Sequence, residues 1–225
     1  MYFRQIHDSA SNALTYLLAD EEAGVAVVVD PLRSQATLIL AMLAERNLRL
    51  VHVLRTHVHQ PARAECGELC PSTGATLILG ADSPAEIEGT RVEEGSEIRC
   101  GALVFRVIDT PGHAPGSVCY LCGDRLLCGD TLLIENRDNV TADEDPGCLF
   151  DSVKHKLLIL PDETLVFPGH DTRGRTISSI GEERRRNIAF TQPSREAFVA
   201  ETRRKRRRQP HMQESALISH GLGKW

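Results

Sequence analysis

The first thirty residues alternate short runs of β-branched and aromatic side chains with polar turns, a pattern that predicts strands at 2–6, 13–18 and 25–29. Asp30-Pro31 ends that rhythm. From Ser34 the spacing changes: Leu38, Leu40, Met42 and Leu43 lie in an unbroken helix-favouring stretch to Glu45, so a helix is expected to begin near a Ser34 cap. Residues 50–54 read as a buried strand that delivers Thr56-His57 at its end. A helix over 63–69, a strand over 76–79, paired strands over 97–99 and 103–108, and a hairpin of 118–121 with 125–128 around Gly123-Asp124 follow. A helix over 150–160 and a strand over 164–167 complete the series. Adjacent strands interspersed with helices fit an αββα sandwich, two mixed β-sheets flanked by helices. There is no fixed-period repeat and no low-complexity linker, so the expected division is one domain over 1–198 and a basic tail over 199–225.

Four segments carry candidate chemistry, and each follows a predicted strand: Thr56-His57-Val58-His59, Thr110-Pro111-Gly112-His113, Gly129-Asp130 and Pro168-Gly169-His170-Asp171. Loops at strand ends hold functional side chains on a rigid frame. A lone histidine is more often structural than a ligand, but three histidine loops and a Gly-Asp loop in this arrangement point together to a metal site. Two imidazoles and one carboxylate are the set a non-haem iron needs, with open positions left for substrate and oxygen, and His57, His113 and Asp130 can supply it. The first segment stops halfway to a two-metal motif. It continues as Gln60-Pro61-Ala62, and neither Pro61 nor Ala62 can coordinate an ion through its side chain.

At 225 residues and 41% hydrophobic the chain has the make-up of an ordinary packed protein. It has no signal-like N-terminus and no apolar run near the roughly 18 residues of a membrane span, so a soluble cytoplasmic protein without a membrane partner is expected. Seven cysteines, an odd and scattered set, suit reduced thiols rather than a disulfide framework. Cys119 and Cys122 form a CxxC on an extended segment, where residues three apart face opposite ways, which argues against structural zinc. Charge is uneven: residues 1–183 hold 15 basic and 28 acidic side chains, and 184–208 hold 10 and 2. The acidic body argues against general nucleic-acid binding. The basic stretch ending at 203–208 is read as a solvated helix end or tail rather than a dock for an anionic partner.

These motifs closely resemble the metallo-β-lactamase superfamily and, within it, the persulfide dioxygenase branch, with a degenerate HxHxDH motif; the glyoxalase II thioesterases are more distant cousins. The resemblance spans residues 2–198. It includes Ala13-Leu14-Thr15-Tyr16-Leu17-Leu18, Val29-Asp30-Pro31, Gly129-Asp130-Thr131-Leu132-Leu133-Ile134 and the block 174–184. It implies one Fe(II) per chain on His57, His113 and Asp130, with His59 and His170 as additional or outer residues. In the hydrolases His59 would bind the first metal and His170 the second. The implied reactants are O2 and a low-molecular-weight persulfide such as glutathione persulfide, and the implied products are sulfite and thiol. Relatives often pair, so a homodimer is a further implication.

The chain departs from that branch at three places. Relatives carry a Gly-Cys-Gly-Arg-Thr-Asp-Phe-type loop after the position of Ile134, where this chain has residues 135–143 of different sequence. Their Tyr after the late His-Asp is here Thr172, and an Arg-rich tail with residues 213–225 replaces their C-terminal segment. Two alternatives stay open beside the dioxygenase: a thioesterase using one Zn on His57, His59, His113 and Asp130, and a catalytically silent relative that acts as a binding protein.

Overall fold

A computed structural model describes residues 1–59, 68–135, 145–171, 174–191 and 194–208, with side chains of the last stretch to Lys205. Its strands form two six-stranded mixed sheets. The first, in spatial order, is β1 (Tyr2–His7), β2 (Leu14–Asp20), β3 (Val25–Val29), β4 (Arg49–Leu54), β5 (Thr76–Gly80) and β6 (Thr90–Val92). The second holds β7 (Glu97–Cys100), β8 (Leu103–Asp109), β9 (Val118–Cys122), β10 (Arg125–Gly129), β11 (Leu165–Pro168) and β12 (Ser178–Ser179), also neighbour to neighbour.

Alternation along the strands builds three cores, and the three cores make four layers. Leu14, Tyr16 and Leu18 of β2 and Val25, Val27 and Val29 of β3 turn inward to meet Phe105, Val107, Tyr120, Leu127 and Phe167 of the other sheet. Leu17, Ala19, Ala26 and Val28 face the opposite way, onto α1 (Ala36–Glu45) through Ile39 and Leu43. Burying each such side chain stabilises by roughly 1.5–3 kcal/mol. Strand propensities span only about 1 kcal/mol, so it is burial on both faces that fixes these apolar runs as central strands. The outer face of the second sheet packs on α3 (Pro146–Ser152), continued by a π-helical turn Val153–Leu157, and on α4 (Ile180–Arg186), α5 (Ile188–Thr191) and α6 (Arg195–Arg208). Phe150, Phe190 and Phe198 cluster there, with ring centroids 5.0–6.4 Å apart. The expected αββα sandwich is therefore the observed fold.

The differences lie at element ends. The first helix begins at Ala36 after a 3-10 turn, Arg33–Gln35, and Ser34 lies in that turn instead of capping it. Helix α3 starts four residues before the expected 150, because Asp145 accepts hydrogen bonds from Gly147 N (2.8 Å) and Cys148 N (3.1 Å) and Pro146 occupies the first turn. The helix expected over 63–69 lies mostly outside the described residues, where α2 (Leu69–Thr73) is the described part of that region. Helix α6 runs across residue 198, and its Phe198 and Thr202 are buried. Cys119 and Cys122 point into different cores, as extended backbone requires. Cys100, Cys119, Cys122, Cys128 and Cys148 are free, but Cys70 is disulfide-bonded, a correction to the expectation of reduced thiols. An odd, scattered count argues against a framework of bridges and does not register a single one. Among the described residues no helix is long and apolar enough to cross a membrane.

Candidate metal centre

Strand direction brings the candidate loops together. β8 and β10 both run antiparallel to β9, and β11 runs parallel to β10, so all three deliver their C-terminal loops at one end of the second sheet. The end of β4 joins them from the first sheet. Hydrogen bonds between the sheets fix that meeting: Val118 N donates to Thr56 O (2.7 Å), Tyr120 Oη to Arg55 O (2.8 Å) and Leu14 N to Gly169 O (2.8 Å). Within the second sheet, Gly169 N donates to Gly129 O (2.8 Å), which ties the Asp130 loop to the His170 loop. Asp145 N and Ser152 Oγ donate to Gly112 O (2.6 Å) and Pro111 O (2.8 Å), so α3 clamps the loop that carries His113.

His57, His59, His113 and Asp130 each offer one donor atom, and these four atoms lie within 4.8 Å of one another. The three rings stand edge to face, with centroids 4.8–5.0 Å apart. His57 Nε2 and His113 Nε2 are 3.9 and 3.7 Å from Asp130 Oδ2, and His59 Nε2 is 3.3 Å from His113 Nε2. The nitrogen–oxygen separations are too long for hydrogen bonds. All three are short enough for donors that bind one ion at about 2.0–2.2 Å each. The chemistry of the donors fits the same purpose: burial, helped by His113, pushes the His57 pKa well below its ordinary 6.5 and keeps the ring neutral, as a ligand must be. Burial opposes charge on Asp130, but the charge and hydrogen bond of His170, with His57 and His113, hold its carboxyl well below the ordinary 3.8. Imidazoles and a carboxylate suit a divalent first-row metal ion.

His170 stands outside this group of four. Its Nδ1 meets Asp130 Oδ1 at 2.7 Å, leaving Oδ2 turned toward the other histidines. Burial would lower the His170 pKa, and the charge and hydrogen bond of Asp130 outweigh it and raise it above 6.5. A raised pKa adds stability that is fully present below 6.5 and lost as pH rises through the folded value. In metal-free protein the His170 ring is therefore expected to titrate above 6.5. In Asp130→Asn it should titrate lower than in the native protein, since the charge and hydrogen bond that raise it are removed while burial remains. NMR titration of the ring protons checks this, and a native His170 titrating below 6.5 would contradict the ion pair. Gln60, Pro61, Ala62 and Thr172 lie outside the described residues.

Two partners of this site were not read from the sequence as such. Asp30 accepts from Thr56 N (2.9 Å) and Thr56 Oγ1 (2.6 Å), and Thr56 Oγ1 contacts His57 Nδ1 at 3.0 Å. The sequence signals were Thr56 directly before His57 and the Val29-Asp30-Pro31 block that ends a strand.

Comparison with known proteins matches this architecture. Residues 69–170 match the model of the metallo-beta-lactamase superfamily. The human mitochondrial persulfide dioxygenase ETHE1 is 33% identical over 196 residues, covering 84% of this chain and 75% of that protein. A hydroxyacylglutathione hydrolase of Polaromonas sp. is 33% identical over 172 residues, covering 72% and 64%. The crystal structure of ETHE1 from Myxococcus xanthus superposes with a TM-score of 0.84 at 42% identity, covering 90% of each chain. The fold is that of a metallo-β-lactamase-type enzyme, and the chain belongs to the persulfide dioxygenase branch of that superfamily.

Proposed function

We propose that the chain is a mononuclear non-haem iron dioxygenase that oxidises a low-molecular-weight persulfide to sulfite and thiol, with His57, His113 and Asp130 as the ligands of one Fe(II). The observation that carries this reading is the pairing of a convergent two-histidine, one-carboxylate set with side chains at 61 and 62 that cannot coordinate a second ion. Two-metal hydrolases use such a pair of ions to hold and activate the attacking water. Similarity to ETHE1 proteins from human and Myxococcus supports the same reading. Iron, if held by these residues, would supply redox chemistry with O2. One persulfide, one O2 and one water then balance to one thiol and one sulfurous acid.

The protein's own groups prepare that centre. Neutral His57 presents a lone pair, Asp130 brings one negative charge, and His170 holds Asp130 Oδ1 so that Oδ2 faces the imidazoles. The altered residues 135–143, mostly outside the described part, leave glutathione as one of several possible thiol carriers. The protein would work on small molecules, in the cytoplasm, without membrane or nucleic-acid partners, and as a homodimer if it follows its relatives.

The position of His59 Nε2, 3.3 Å from His113 Nε2, favours a second reading: a thioesterase of glyoxalase II type with a single Zn on three imidazoles. Oxygen-electrode assays of anaerobically iron-loaded protein with glutathione persulfide and other small persulfides separate the two. Oxygen uptake matched by sulfite, absent from zinc-loaded protein, is expected. Thioester turnover by zinc-loaded protein without any oxygen uptake would replace the proposal with the hydrolase. Neither activity would leave a non-catalytic binding protein.

A further inference from the structure

We propose that Asp30 and Thr56 are positioning residues that decide which nitrogen of His57 carries the proton, and so which one is offered to the metal ion. Asp30 ends β3 in a left-handed conformation (φ +49°), uncommon for a residue with a side chain, and neighbours on both sides hold it there. Its N–H donates to Leu54 O (2.9 Å), and its carbonyl accepts from Thr15 Oγ1 (2.7 Å). The turned backbone aims the carboxylate across the sheet at the end of β4, where Oδ1 accepts from Thr56 N and Oδ2 from Thr56 Oγ1.

A hydroxyl has one proton, and an ionised carboxylate can only accept; burial raises the Asp30 pKa, and the charge of Arg55 with the two Thr56 hydrogen bonds opposes that rise. The 2.6 Å contact to Asp30 therefore uses the proton of Thr56. In its other contact, 3.0 Å to His57 Nδ1, the threonine oxygen must accept, so Nδ1 carries the hydrogen. The remaining nitrogen, Nε2, is then a lone pair, and it is the atom that faces Asp130 Oδ2. Such outer partners fix the tautomer and ring orientation of metal-binding histidines. Gly129 completes the arrangement. A Cβ there, at φ +51°, would sit 2.2 Å from Thr56 Oγ1 and 3.3 Å from His57 Nδ1, so the residue before Asp130 leaves room for the hydroxyl.

The inference rests on reading the four residues as a metal centre, but not on which metal or which reaction. Its test is the long-range 1H–15N spectrum of the histidine rings in metal-free protein, with His57 assigned through His57→Gln, alongside zinc affinity measured by chelator competition. Native protein and Thr56→Ser should keep His57 protonated on Nδ1 and bind zinc alike. Thr56→Val, which keeps the shape and loses the hydroxyl, should mix the tautomers and weaken zinc by about 10–100-fold, the usual cost of losing an outer-shell partner. Asp30→Asn can donate to Thr56 and free its proton for Nδ1, so it should shift the ring toward Nε2–H. A Thr56→Val protein with an unchanged tautomer and unchanged zinc affinity overturns the relay, as does a native His57 protonated on Nε2. The ring spectrum needs no metal, so native protein that bound no zinc would remove the metal-centre reading while the spectrum still decided the relay.

Discussion

Purified anaerobically with iron, the native protein is expected to hold about one metal ion per chain and the His113→Ala variant none. His113 is 1% exposed, sits on a loop clamped by α3, and has its Nε2 within 3.7 Å of Asp130 Oδ2 and 3.3 Å of His59 Nε2. Removing it deletes a donor at the centre of the group and leaves no side chain able to take its place from the same loop. The loss should exceed the roughly 10–100-fold in affinity that follows removal of an outer-shell partner. His155→Ala is the control: its side chain is 71% exposed on the π-helical turn, and its metal content should match the native protein. Elemental analysis reads both. About one iron in native protein and none in His113→Ala supports the dioxygenase. Zinc in place of iron favours the hydrolase, and a His113→Ala protein that keeps its full complement of metal would remove His113 from the site.

His59 makes a sharper comparison. If His57, His113 and Asp130 are the working set, His59→Ala should weaken iron binding yet retain it. If the site is the three-imidazole zinc centre of a hydrolase, the same change should be as damaging as His113→Ala.

The sequence made some of this readable and hid the rest for physical reasons. Strands β2, β3 and β10 were legible because their apolar runs are buried on both faces, and β8 because apolar residues flank its exposed Arg106. β6 and β12 were not, since three and two residues of mixed character become strands only by pairing with β5 and β11. The candidate ligands were legible because each directly follows a recognisable strand. The contacts that support them were not: Asp30 lies 26 residues from Thr56, and Asp130 lies 40 from His170, so no local spacing records either hydrogen bond. The early start of α3 had a signal, Asp145 followed by Pro146, but the expectation was drawn from the apolar residues further on.

The Gly112→Ala variant is expected to lose a large share of the stability of the fold. Gly112 has φ +131°, a backbone region that residues with side chains rarely enter, and strain of that kind costs about 1–3 kcal/mol. A Cβ there would also lie 2.2 Å from Leu149 N and 2.4 Å from Leu149 Cα. Those are backbone atoms in the first turns of α3, fixed by the Asp145 cap and by the hydrogen bond from Asp145 N to Gly112 O, so no flexible side chain can move aside. Either the helix withdraws from the sheet, opening the core around Leu149 and Phe150, or the loop shifts and carries His113 with it. A total above about 4 kcal/mol is the expected order, against the roughly 5–15 kcal/mol that holds a typical domain together. Gly123→Ala is the comparison that isolates the clash, because Gly123 also has positive φ (+59°) but nothing within 4 Å of its Cβ position. It should cost only about 1–2 kcal/mol. At about 2–4 °C per kcal/mol for a chain of this size, the melting temperature should fall by roughly 10 °C or more for Gly112→Ala and by several degrees at most for Gly123→Ala. Equal melting temperatures for the two variants would mean that α3 does not press on the His113 loop as the structure has it.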